Sequence, residues 1–114
     1  WQRQLREFTR LAGCSEHPLV IVGDFNAARW HPSFRRLLRA GLRPAHDMLG
    51  RGCSTSWPAH RGVLPPPFVR LDHALCGPGV VPVAVRDVRL PGSDHTGFVA
   101  TFALAPTIRR PNRG

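Results

Sequence analysis

The sequence contains no lysine: all sixteen of its basic residues are arginines, and they face only seven acidic residues. The resulting net charge of +9 indicates a partner that carries negative charge, such as a nucleic acid or an anionic lipid headgroup. The alternative is a basic surface that is merely solvated. Genes rich in GC favour arginine, proline and alanine, so part of the positive charge can reflect base composition and not function.

Cysteine and methionine are scarce, and long apolar runs are missing. Cys14, Cys53 and Cys76 form no CxxC pair, which argues against a structural zinc site and favours three buried free thiols over one disulfide. No apolar run reaches about 18 residues, so no membrane-spanning helix is predicted. Met48 is the only methionine, and the chain opens on Trp1. We therefore expect a piece of a longer polypeptide, whose location in the cytoplasm or the cell envelope these residues leave open.

A length of 114 residues allows one domain with a modest core. Apolar periodicity predicts two helices and a set of strands: helices over 2–12 and from Pro32 to Gly41, and strands over 19–22, 55–57, 68–76, 80–90 and 97–104. Pro82 marks an edge or a break. This order predicts an α/β (α+β) fold built in layers, with residues 1–104 as the domain and 105–114 as a polar, disordered tail rich in arginine and proline.

Three of the seven acidic residues lie in short motifs at the ends of predicted strands: Asp24 in "VGDFN", Asp72 in "RLDHAL" and Asp94 in "GSDHTG". In an extended segment Asp24 and Asn26 face one side, and Phe25 points back to the core. A carboxylate beside a carboxamide suits a metal-bound or water-bound phosphate. The alternative for this motif is an Asx turn that ends a strand.

The two histidine-bearing motifs complement the first. Asp72 is either an exposed turn acid paired with Arg70 or a group that orients a histidine elsewhere, and His73 points to the opposite face. Because Asp94 and His95 are neighbours, their side chains diverge, and each is expected to meet groups from the other motifs. A histidine oriented by a carboxylate gains basicity and can transfer a proton or bind a phosphoryl oxygen. The alternative for "SDH" is a polar turn before a strand.

The order "GDFN", "RLDH" and "SDH", with "TSW" upstream of "RLDH", resembles the endonuclease/exonuclease/phosphatase superfamily of DNase I-like metal-dependent phosphoesterases. The resemblance extends from Trp1 to about Leu104. It implies the second half of a four-layer αββα sandwich, with a mixed, mainly antiparallel sheet and helices on one face. It also implies a missing N-terminal half of the same polypeptide that brings a metal-binding glutamate. We therefore expect these 114 residues alone to be weak or inactive.

The resemblance assigns roles to five positions. Asp24 would position or deprotonate the attacking water, and Asn26 would hold the scissile phosphate. His95 would contact the phosphate in the transition state, and Asp72 would orient His95. Asp94 and Asp24 would bind Mg²⁺ or Mn²⁺.

The function implied is a divalent-metal-dependent hydrolase of phosphodiester bonds, and the arginine excess favours a nucleic-acid substrate. A phospholipid or a sugar phosphate is the alternative within the same chemistry. A non-catalytic basic module that binds polyanions is the alternative outside it, although the complete motif set argues against lost activity. Thr96 and Gly97 stand where many relatives carry a bulkier residue and proline, which leaves the subfamily open.

Overall fold

The computed structural model describes residues 2–14, 16–59 and 69–105. Its elements follow one another as α1 (Gln2–Cys14), β1 (Val20–Asp24), α2 (Pro32–Arg39), β2 (Arg43–Pro44), α3 (Ala45–Met48), β3 (Asp72–Cys76), β4 (Val80–Arg89) and β5 (Thr96–Leu104). Both predicted helices are present, but β2 and α3 occupy residues 43–48, where no element was predicted. The segment 55–57 contributes only an isolated bridge, from Trp57 to Val69. The predicted tail lies outside the described residues except for position 105.

The helix α2 shows how the sequence sets local structure. Pro32 occupies the first turn, where a missing N–H is tolerated, and the His31 ring nitrogen Nδ1 accepts the Ser33 N–H at 3.2 Å. Phe34 and Leu37, one turn apart, are fully buried. The chain leaves the helix through Gly41, whose φ of 97° is a conformation that glycine adopts without strain.

The strands form two antiparallel units. One sheet has the order β1-β3-β2, and its register sets Val22 opposite Ala74 and Asp24 opposite Asp72. The hairpin β4-β5 forms the second unit, with an irregularity between Pro82 and Ala84. The break predicted at Pro82 therefore corresponds to this irregularity, which begins at a residue that has no N–H to donate to the ladder. All described pairings are antiparallel, consistent with the mainly antiparallel sheet that was predicted.

The core divides at β3, because successive side chains of a strand point to opposite faces. Leu75 faces α1 and α2 and packs in a cluster with Phe25, Phe34 and Leu37. Ala74 and Cys76 belong to a second cluster, against which Phe98 and Phe102 of the hairpin pack. The long helices thus cover one face of the sheet and the hairpin covers part of the other.

Side-chain exposure corrects one prediction. All three cysteines are free, but only Cys76 is buried, whereas Cys14 ends α1 at the surface and Cys53 lies in an exposed loop. Several large apolar residues are also exposed: Val22, Val83, Val99 and Leu104. Within the described ranges, no helix has the length and apolar composition that crossing a bilayer requires.

A buried leucine and an exposed leucine predict different costs for the same substitution. Leu37→Ala should lower the free energy of unfolding by about 2–5 kcal/mol, because Leu37 is fully buried between α2 and the sheet. Leu104→Ala, at a side chain that is 71% exposed, should change it by less than about 0.5 kcal/mol. Urea denaturation of both variants measures the difference, and equal losses would contradict this assignment of the core.

Candidate active site

The first two acidic motifs meet at one edge of the sheet. Strand β1 ends at Asp24 and the antiparallel strand β3 begins at Asp72, so the register sets the two residues opposite each other. The pairing continues one step further, because the Phe25 N–H donates to the Leu71 carbonyl at 2.9 Å. Two carboxylates are therefore held side by side by backbone hydrogen bonds rather than by flexible loops.

The motif "GDFN" forms a tight turn at this edge. The backbone N–H of Asn26 donates to Asp24 Oδ1 at 2.8 Å, and Asn26 has a φ of 48°, a left-handed conformation that asparagine tolerates. Phe25 is buried and packs edge-on against Phe34. The Asx turn considered as an alternative is therefore present. It uses one oxygen of Asp24 and leaves the other, Oδ2, towards His95.

His95 lies among three carboxylates. Its Nδ1 is 2.6 Å from Asp72 Oδ2, and its Nε2 is 3.9 Å from Asp24 Oδ2 and 3.9 Å from Asp94 Oδ1. The hydrogen bond to Asp72 is the largest cause that raises the pKa of His95, with the negative charges of the three aspartates adding to it and partial burial opposing it. This environment favours the imidazolium and fixes its orientation.

The segment around Ser56 connects the start of β3 to the loop that carries His95. The sequence did not predict that this segment positions site residues. The Ser56 side chain is fully buried, and its hydroxyl accepts the Leu71 N–H at 2.9 Å and the Asp72 N–H at 3.2 Å. Its carbonyl accepts the Thr96 N–H at 2.7 Å. One residue thus fixes the backbone beside both members of the Asp72–His95 pair. The motif "TSW" was the signal, but its three letters do not reveal which side chain is buried.

The same segment also holds the loop that carries Asp94. The Ala59 N–H donates to the Asp94 carbonyl at 2.6 Å, and the Trp57 indole N–H donates to Asp94 Oδ2 at 3.3 Å. Ser93 Oγ accepts the His95 N–H at 3.0 Å, so the loop is also a polar turn. The polar turn that was considered as the alternative for "SDH" is therefore present, and it also places His95 among the carboxylates.

Arg70 does not pair with the carboxylate of Asp72, the partner considered above for an exposed turn acid. Its guanidinium, which is almost fully buried, binds Asp87 Oδ1 of β4 at 3.0 Å and donates to the Asp72 carbonyl at 3.3 Å. It also donates to the carbonyls of Ser54 and Thr55. Asp87 in turn contacts the buried His46 at 3.1 Å. This network ties β4 and the segment 54–55 to the start of β3.

His73 lies on the opposite face from Asp72, as the strand alternation predicts. It is buried against Phe25 and Phe34, and its Nε2 donates to the Ala27 carbonyl at 3.0 Å. Burial is the main cause that lowers its pKa to about 4. A neutral, buried imidazole anchors the chain after "GDFN" and takes no part in the polar edge.

Three side chains could hold a divalent cation. Asp24, Asp72 and His95 each offer one ligand atom, and these atoms lie within 4.8 Å of one another. Carboxylate oxygens suit Mg²⁺ and Mn²⁺. Asp94, the other metal ligand that the resemblance implies, lies outside this group of three, although its Oδ1 is 3.9 Å from His95 Nε2. Asn26 is exposed at the same edge, and its described hydrogen bond involves its backbone.

Comparisons with known proteins identify the family and a similar fold. The family model described as the Endonuclease/Exonuclease/phosphatase family matches residues 1–95. Among solved structures, the mannosyl-6-phosphatase of Bacteroides thetaiotaomicron VPI-5482 is similar, with a TM-score of 0.62 and 15% sequence identity. The match covers 90% of this chain but only 44% of that protein, and at this identity it shows the fold alone. No curated protein matches the chain.

The Asp72–His95 hydrogen bond predicts a measurable pKa. Asp72→Asn removes the charged acceptor, so the pKa of His95 should fall towards its ordinary value of about 6.5. Titration of the imidazole signals by NMR, in metal-free protein, measures the change. His73, whose lowered pKa comes mainly from burial, serves as the internal control and should not move. An unchanged midpoint for His95 would contradict the assigned cause.

The same shift predicts a pH-dependent stability. Because the pKa of His95 is raised in the folded protein, its contribution is fully present below about pH 6.5 and is lost as the pH rises through the folded value. The difference in unfolding free energy between the wild type and Asp72→Asn should therefore be larger at about pH 5.5 than at about pH 8.5. Denaturant titrations at both values test this, and a constant difference would contradict it.

Proposed function

The chain belongs to the endonuclease/exonuclease/phosphatase family, and from this membership we propose that it acts in a divalent-metal-dependent hydrolase of phosphodiester bonds. The observation that carries the proposal is the contact between Asp72 and His95 at the strand edge where Asp24 also lies. An imidazole that is oriented by a carboxylate can transfer a proton or bind a phosphoryl oxygen. We propose the roles of the individual residues together with this activity.

His95 acts on the phosphate. As water attacks, negative charge grows on the phosphoryl oxygens, and an imidazolium directed at them stabilises that charge. Asp72 holds His95 Nδ1, which leaves Nε2 for the substrate. Asp24, whose Oδ2 lies near that nitrogen, positions the attacking water or takes its proton. In this proposal Asp24 acts on the attacking water, whereas His95, oriented by Asp72, acts on the phosphate.

Asn26 and the metal ligands complete the proposed site. The Asn26 amide donates to an oxygen of the scissile phosphate, and the turn that places its backbone over Asp24 keeps it at this edge. Asp24 and Asp94 would hold Mg²⁺ or Mn²⁺, with Asp72 and His95 within reach of the same space. When bound, such a cation supplies Lewis-acid stabilisation of the phosphoryl oxygens.

The substrate that we propose is a nucleic acid. A net charge of +9 provides the attraction that a polyphosphate chain requires. A sugar phosphate is the second candidate, because the similar solved structure is that of a mannosyl-6-phosphatase. A phospholipid and a non-catalytic polyanion-binding module are the remaining alternatives, and they are outcomes of the experiment below.

We also propose that a further segment completes the enzyme. The chain spans 44% of the length of its structural neighbour. Val22 lies in β1, two residues before Asp24, and its apolar side chain is 60% exposed. Such exposure is expected where another layer of the fold packs against the sheet. A carboxylate from that layer would add to the metal ligands, so the 114 residues alone should hydrolyse phosphoesters weakly or not at all.

His95→Ala tests the mechanism in the complete protein that contains these residues. The variant should lose roughly 10²–10⁴-fold in the hydrolysis rate, because a positioned acid–base group contributes about that much. His17→Ala, at an exposed histidine between α1 and β1, is the matched control and should keep the wild-type rate. EDTA should abolish hydrolysis, and Mg²⁺ or Mn²⁺ should restore it.

Three substrates distinguish the candidates. Nicking of plasmid DNA supports the nuclease, whereas phosphate release from a sugar phosphate or from phospholipid headgroups transfers the proposal to that substrate. If no substrate is hydrolysed with any divalent cation, and His95→Ala still retains DNA as the wild type does, the chain is a binding module and the enzymatic proposal fails.

A further inference from the structure

A groove of about 330 Å³ opens beside the proposed site, and no step of the proposed mechanism uses it. Its lining includes Arg29, Trp30, Gly52, Cys53, Ser54 and Arg70. This volume lies in the range of small-ligand pockets. The groove, called here the Trp30 groove, therefore has room for a planar ring.

Chain connectivity sets the Trp30 groove next to the phosphate position. Arg29 follows Asn26 by three residues, so their Cα atoms lie at most about 11 Å apart. The chain between them is anchored by the hydrogen bond from His73 to the Ala27 carbonyl. On the other side, Arg70 donates to the carbonyl of Asp72. A ligand whose phosphate lies at Asn26 and His95 can therefore extend into the groove.

The side chains of the groove indicate a flat, negatively charged ligand. Trp30 is 65% exposed, although an indole normally gains by burial, and its face can stack on a ring. Arg29 is also exposed, and Asp47 holds its Nη2 at 3.3 Å. A Cβ at Gly52 would lie 2.5 Å from Asp47 Oδ1, so the glycine makes room for this ion pair. The pair fixes Arg29 at the groove without removing its other donors.

We propose that the Trp30 groove binds the nucleobase next to the scissile phosphate, which stacks on Trp30 while Arg29 faces the neighbouring backbone phosphate. This inference rests on the proposed function and narrows its substrate to nucleic acid. A sugar monophosphate can pack its ring on an indole, but neither it nor a lipid headgroup has a second backbone phosphate for the guanidinium. Stacking accepts any base, so the groove contributes affinity with little sequence preference.

Cys53 provides a direct readout of occupancy, because its exposed thiol lines the groove. Cys14 is also exposed but ends α1 and does not line the groove, so it is the internal control. Alkylation of both thiols by iodoacetamide is followed by peptide mass spectrometry in EDTA, where no hydrolysis is expected. A tetranucleotide of deoxythymidine should slow alkylation of Cys53 and leave Cys14 unchanged. Deoxyribose 5-phosphate, which lacks the base, should protect neither.

Two substitutions test the contacts by fluorescence anisotropy with the same labelled tetranucleotide. Trp30→Ala should weaken its affinity roughly 5- to 150-fold, and Trp30→Phe should retain most of it, because phenylalanine keeps an aromatic face. Leu104→Ala, at an exposed residue outside the groove, should bind as the wild type. Arg29→Gln should lower the salt dependence by about one phosphate contact. Arg10→Gln, which removes an arginine paired with Glu7 on α1, is its matched control.

The outcomes separate this inference from the proposed function. Equal protection of Cys14 and Cys53, an unchanged affinity in Trp30→Ala, or equal effects of the two arginine variants would overturn the groove assignment even if DNA is hydrolysed. Protection of Cys53 by deoxyribose 5-phosphate alone would overturn it as well. Selective protection by the tetranucleotide would support it even if hydrolysis is absent, in which case only the proposed function fails.

Discussion

The candidate site depends on the hydrogen bond between Asp72, which begins β3, and His95, which lies 23 residues further along in the loop before β5. That bond forms because a third segment holds both backbones: Ser56 accepts the N–H groups at the start of β3 and, through its carbonyl, the N–H that follows His95. A buried hydroxyl that satisfies buried donors is costly to remove, since about 1–3 kcal/mol is lost for each donor left unpaired. The proposed chemistry thus depends on the position of a residue that is itself fully buried.

Much of the fold was predictable because its signals are local. The stripe on α1, the apolar run of β1 and the Pro32–Gly41 boundaries of α2 depend on neighbours within a turn or a strand. The short elements over 43–48 were not predictable, because their stability comes from packing on β3 rather than from periodicity. The prediction that Cys14 and Cys53 are buried was wrong, because burial of a cysteine also depends on tertiary packing, which the sequence around it does not indicate.

The candidate site was predictable to the level of its motifs and no further. The boundaries of predicted strands gave Asp24, Asp72 and His95: Asp24 ends one apolar run, and the other two come just before apolar runs. The contacts that hold these residues in place were not predictable. The ion pair of Arg70 with Asp87 joins residues 17 apart, and it forms only when β4 of the hairpin packs beside the start of β3. The sequence suggested Asp72, the nearest acid, as the ion-pair partner of Arg70, but in the fold its partner is Asp87.

The left-handed turn at Asn26 limits how this position can drift during evolution. A φ of 48° is open to glycine and, among residues with a side chain, mainly to asparagine and aspartate. Glycine would keep the bend and lose the amide, aspartate would bring a like charge beside Asp24, and glutamine would keep the amide at the expense of a strained backbone. The backbone conformation and the proposed role of the amide therefore favour the same amino acid independently, so a descendant of this chain could replace asparagine without loss of either only by rebuilding the turn.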